Sequence, residues 1–143
     1  MLVENETQIN NTFLESKKFL EINSVQLLRN DFIVQNISIT EKNHFIYAKY
    51  KNKDYTIVLE SSHDLFNIEI SNDKKEFTNL CYRYDFSNTL NVDNLSKAFS
   101  LLREMLKKND FPLYIINDDK IYMTYKGNTK KIKTIEKEHL QGI

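Results

Sequence analysis

Between Phe32 and Phe86 the chain carries five short runs rich in aromatic and β-branched residues, separated by short polar turns. The runs are Phe32–Ile39, Phe45–Tyr50, Tyr55–Leu59, Phe66–Ile70 and Phe77–Phe86. The turns fall at Thr40–Asn43, Lys51–Asp54, Ser61–Asp64 and Asn72–Lys75. Extended segments this short, joined by turns this tight, predict an antiparallel meander.

Side-chain alternation refines that expectation. Phe66, Ile68 and Ile70 alternate with Asn67, Glu69 and Ser71, the cleanest two-residue period in the chain. The other runs are apolar on both sides. Ile33, Ile37 and Ile39 oppose Phe32 and Val34, Phe45 and Tyr47 oppose Ile46, Ala48 and Tyr50, and Tyr55, Ile57 and Leu59 oppose Thr56 and Val58. A wholly solvated second face would be more polar, so part of each face is expected to be covered by helices or by a partner. In the fifth run Leu80, Tyr82, Tyr84 and Phe86 share a face, and the parity slip after Phe77 points to a bulge or a late strand start.

Two helical patterns flank the strands. Ile9, Phe13, Leu20 and Leu27 recur at helical spacing over 7–29. Thr12 and Glu15 suit a capping box starting near Phe13, the alternative being that the preceding turn belongs to the same helix, and Asn23-Ser24 is a potential break. Leu95, Ala98, Phe99, Leu102, Met105 and Leu106 form one stripe over about 93–108. Asp93 serves as its expected N-cap, Lys107 and Lys108 complement its dipole, and Asn109–Pro112 ends it. Leu113–Ile116 and Ile121–Tyr125 then form a hairpin across Asn117–Lys120. The tail from Thr129 to Ile143 fits either a last strand or a short helix.

The expected fold is therefore α+β. A single, mostly antiparallel β-sheet, a meander of four to five strands plus a C-terminal hairpin, is packed by an N-terminal helix and the helix at about 93–108. At 143 residues, with 41% apolar residues and no linker-like stretch, positions 1–143 read as a single domain.

Composition narrows the function classes. Twenty basic and twenty acidic side chains balance, which argues against a strongly basic nucleic-acid binder. No apolar run is long enough to span a bilayer, and the N-terminus lacks a secretory pattern, so the expectation is a cytoplasmic chain without membrane partners. Two glycines in the whole chain leave no glycine-rich phosphate loop. The abundant asparagine reads as compositional bias.

Candidate chemistry is sparse. His44, His63 and His139 are the only histidines, without metal-ligand spacing, and no metal or other cofactor is expected. Cys81 lies between Leu80 and Tyr82 as a small apolar residue. Asp118-Asp119 suits an exposed turn, and His63-Asp64 beside Ser61-Ser62 lacks the geometry of a triad. A small hydrolase around His63 ranks last.

Two binding readings remain. Eight tyrosines without a tryptophan point to a non-catalytic protein-interaction module, such as a small inhibitor, an immunity-type protein, an adaptor or a chaperone-like factor. Tyr47, Tyr50, Tyr82, Tyr84 and Tyr114 are its expected contact residues, with another protein or a second copy in a homodimer as partner. The alternative is a nucleic-acid-binding strip of Lys120, Tyr122, Tyr125, Lys126, Lys130, Lys131 and Lys133.

Overall fold

A computed structural model of the chain describes residues 2–29, 36–42, 45–62, 64–84 and 87–135. Its elements in chain order are α1 (Leu2–Arg29), β1 (Asn36–Lys42), β2 (Phe45–Lys51), β3 (Thr56–Ser61), β4 (Phe66–Ser71), β5 (Phe77–Asn79), α2 (Leu80–Arg83), α3 (Val92–Lys108), β6 (Leu113–Asn117), β7 (Lys120–Tyr125) and β8 (Asn128–Ile132). The fold is α+β. Among the described residues eight strands lie in one sheet in sequence order, each antiparallel to the next.

Turn chemistry explains the meander. Asn52 Oδ1 accepts the backbone N–H groups of Asp54 at 2.8 Å and Tyr55 at 2.7 Å, closing the β2–β3 turn. Asn72 does the same between β4 and β5, accepting from Lys74 and Glu76 at 3.0 Å each. Such Asx turns give asparagine a structural role beyond compositional bias. Asp118 and Asp119 have φ of 50° and 63°, as do Lys126 (51°) and Gly127 (79°) in kind. Paired positive φ values make the tight, primed turns whose twist suits a hairpin.

The buried face of the sheet carries Ile46, Ala48 and Tyr50 of β2, Ile57 and Leu59 of β3, and Phe66, Ile68 and Ile70 of β4. These residues form one cluster with Phe13 and Leu20 of α1 and with Leu95, Ala98, Phe99 and Leu102 of α3. The Tyr50 and Phe99 rings meet edge to face, with centroids 6.2 Å apart. Helices α1 and α3 pack against one another on this side. Fully burying each large side chain contributes roughly 1.5–3 kcal/mol.

Several expectations need correction. Helix α1 is continuous through Asn23-Ser24, and Thr12 is an interior residue whose carbonyl accepts the Ser16 hydroxyl at 2.8 Å, not a cap. Packing of the apolar stripe outweighs the weak local preferences of Asn and Ser. Strand β1 runs through Thr40–Lys42, which the polar composition suggested was turn. The Phe32–Gln35 part of the first expected strand lies outside the described residues. The N-cap of α3 is Asn91, accepting from the Asn94 N–H at 2.8 Å, so Asp93 sits in the first turn instead.

The largest correction concerns the fifth run. Strand β5 has three residues, and Leu80–Arg83 turns into the single helical turn α2. Chain from 87–90 takes over the vacated edge of β4: the Phe66 N–H donates to the Asn88 carbonyl at 3.0 Å, and the Leu90 N–H donates to the Asp64 carbonyl at 2.8 Å. The backbone groups of β4 are thereby satisfied without a longer β5. The tail question resolves to strand over Asn128–Ile132, while 136–143 lie outside the described residues.

Candidate functional site

Directly opposed residues in an antiparallel pair project to the same face. The register therefore traces the second face from strand to strand. Tyr47 opposes Glu60, which opposes Asn67; Lys49 opposes Val58, then Glu69, then Asn79. Ser71 opposes Phe77, then Tyr114, then Met123, then Lys130. Ile116 opposes Ile121, which opposes Ile132.

Large apolar side chains stand open on this face. Phe45 is 51% exposed, Tyr47 39%, Leu65 47% and Ile116 57%. The clustered burial of α1 and α3 lies on the other side. Of the two coverings expected, helices account for one face only: among the described residues they seal one face of β2–β4 and leave the other exposed. The physical reason is topological. Both long helices pack against each other, so they share a side.

A concave site breaks this face where β5 meets β6. Its cavity of about 430 Å³ is lined by Asn67, Phe77, Tyr114, Ile116, Ile121 and Ile135, among others. Tyr114 is buried yet stands outside the main core cluster, because it forms part of this second face.

The five tyrosines expected at a contact face are divided by the fold. Tyr47 is exposed on the helix-free face. Tyr50 points the other way and is fully buried against Phe99. Tyr84 is buried in the core cluster, after the helical turn that replaced the expected strand. Tyr114 is buried at the cavity, and the Tyr82 side chain lies outside the described ones. A single open face shared by Tyr47, Tyr50, Tyr84 and Tyr114 is therefore not what the chain builds. Tyrosine count carries no signal of face; strand parity separates Tyr47 from Tyr50, and once the helices fix the buried side it places Phe45, Leu65 and Ile116 on the open face.

The lysine strip is likewise divided. Lys120, Tyr122 and Lys131 share one face of the C-terminal strands, while Tyr125 and Lys130 share the other. Lys126 sits in the β7–β8 turn with its Nζ 5.4 Å from the Tyr125 ring centroid, and Lys133 follows the end of β8. The Tyr125 hydroxyl donates to Asp110 Oδ1. The strip is an edge decorated on both sides, an arrangement that also discourages pairing with other strands.

Residues considered for catalysis are placed structurally. Ser61 is buried, and its Oγ accepts the Ile46 N–H at 3.2 Å. Burial pushes the Cys81 thiol up to about 11, against a smaller opposing effect from a backbone hydrogen bond, so it is thiol rather than thiolate at neutral pH. His44, His63 and His139 lie outside the described residues. Among the described residues no three His, Cys, Asp or Glu side chains gather to hold a metal ion, and no helix is long and apolar enough to cross a membrane.

Comparison with protein-family models, with curated proteins and with solved structures finds no match to this chain. The functional reading rests on the geometry alone.

Proposed function

We propose that the chain is a non-catalytic protein-interaction module whose contact surface is the helix-free face of its sheet. One observation carries this reading: Phe45, Tyr47, Leu65 and Ile116 stand exposed on a face that no helix among the described residues covers. Large apolar side chains left open on an uncovered sheet face favour contact with another molecule, and aromatic anchors are typical of protein partners. A second copy, packed face to face, is one form such a partner takes.

The test places a photo-crosslinking amino acid at Tyr47 or Ile116 of the full chain, with Glu104 on the exposed side of α3 as control. Expressed in the source cell, the two sheet positions should give discrete protein adducts and the control none. No adduct from either, or equal adducts from Glu104, overturns the reading. Sedimentation of the purified chain separates self-association from a different partner.

Nucleic acid is the second reading, supported by Lys120 and Lys131 flanking Tyr122 on one face. It requires binding that weakens steeply with salt. The division of the other lysines between two faces favours the protein reading.

A further inference from the structure

We infer that the cavity between β5 and β6 receives an extended peptide segment of the partner, one that sets a large apolar side chain beside a lysine or arginine. This rests on the interaction reading and names the chemistry of the contact. The cavity, about 430 Å³, is within the range of small ligand-binding clefts. Its floor is apolar, with Phe77, Tyr114, Ile116 and Ile121, and Asn67 brings a carboxamide to its β4 end. From β4 to β7 is about 14 Å at the usual strand spacing, which about four extended residues span. A folded domain does not enter such a space; a chain segment does.

Charge selects the segment. Glu60 opposes Asn67, and Glu69 opposes Asn79, so two carboxylates flank the β4 end on the same face. Desolvation, and then the nearness of Glu60, raise the pKa of Glu69. Lys49 shares this face, diagonal to Glu60 across β2 and β3 and one strand further from Glu69, across Val58, so Glu69 is the carboxylate that gives the β4 end its charge. Lys130 marks the opposite end, diagonal to Ile121 through the Ile121–Ile132 pair. The cleft is thus acidic at β4 and basic at β8. A cationic side chain finds complementarity at the first end and repulsion at the second. The segment should therefore carry its basic residue on one side of the apolar anchor only.

Panning a random-peptide phage library against the full chain tests this, with Ile116→Arg as the cleft-blocked counterpart. Ile116 is exposed, so this variant should keep its fold, which circular dichroism checks. Enriched sequences should pair an aromatic or large aliphatic residue with a one-sided lysine or arginine. A synthetic peptide of the leading sequence should bind roughly three- to tenfold more weakly to the Glu60→Gln/Glu69→Gln double variant. Enrichment of acidic or uncharged sequences, affinity indifferent to the double variant, or no enrichment over Ile116→Arg overturns the inference. If panning fails while Tyr47 still cross-links a partner, this inference falls and the interaction reading stands; if both fail, both fall.

Discussion

Phe77 and Tyr114 face each other across β5 and β6, and among the described residues they are the one register pair joining those strands. The five strands before this pair and the three after it are each laced by longer ladders. The sheet thus has a seam, and the cavity lies on it. Glu76 braces the seam from the other side by bonding to Asn72 and to Thr124 of β7.

Tyr114→Ala should loosen the C-terminal strands before the rest of the sheet. Loss of a buried aromatic costs about 3–5 kcal/mol where it is well packed. Hydrogen exchange should show protection falling first in β6–β8 while β2–β4 remain slow. A uniform loss across the sheet would show that the seam is not a boundary of cooperativity.

The two faces should respond differently to truncation. Phe99→Ala or Leu102→Ala, under α3, should cost about 2–5 kcal/mol in urea unfolding. Tyr47→Ala and Ile116→Ala, on the helix-free face, should stay within roughly 1 kcal/mol of the parent. Comparable losses on both faces would mean the second face is structural rather than free for contact.

Thr78 is buried on the helix side of β5, and its Oγ1 has no hydrogen-bond partner among the described residues. An unpaired hydroxyl carries an uncompensated desolvation cost of about 1–3 kcal/mol. Thr78→Val keeps the shape and removes that hydroxyl. Its urea midpoint should equal or exceed the parent's, and a clear drop would reveal a bond that the hydroxyl makes.

Glu76 and Glu69 should pull the pH dependence of stability in opposite directions. The hydrogen bond from Asn72, then that from Thr124, hold the Glu76 carboxyl below its ordinary range. Its contribution is present above the unfolded-state pKa and is lost as pH falls through the folded-state value. Glu69 is raised by desolvation and by Glu60, so its ionised form costs stability near neutral pH, and acidification relieves that cost. Urea midpoints from neutral to acidic pH should fall less steeply for Glu76→Gln than for the parent. Glu69→Gln should raise the midpoint at neutral pH only. The reverse order would contradict the assigned causes.

Local pattern decided much of this molecule. The spacing of Leu95, Ala98, Phe99 and Leu102 builds one helical face because 3.6 residues make a turn. The asparagines at 52 and 72 close turns because a short carboxamide reaches backbone N–H groups two residues on. Strand parity already divided Phe66, Ile68 and Ile70 from Asn67 and Glu69. What parity lacks is an absolute direction. Only the packing of α1 against α3 on one side of the sheet determined that Tyr50 would be core and Tyr47 surface. The end of β5 was beyond local reading too, since Leu80–Tyr84 suits a strand as well as a turn of helix. Residues 87–90 supply the competing hydrogen bonds, and their proximity to β4 exists only once the chain has folded.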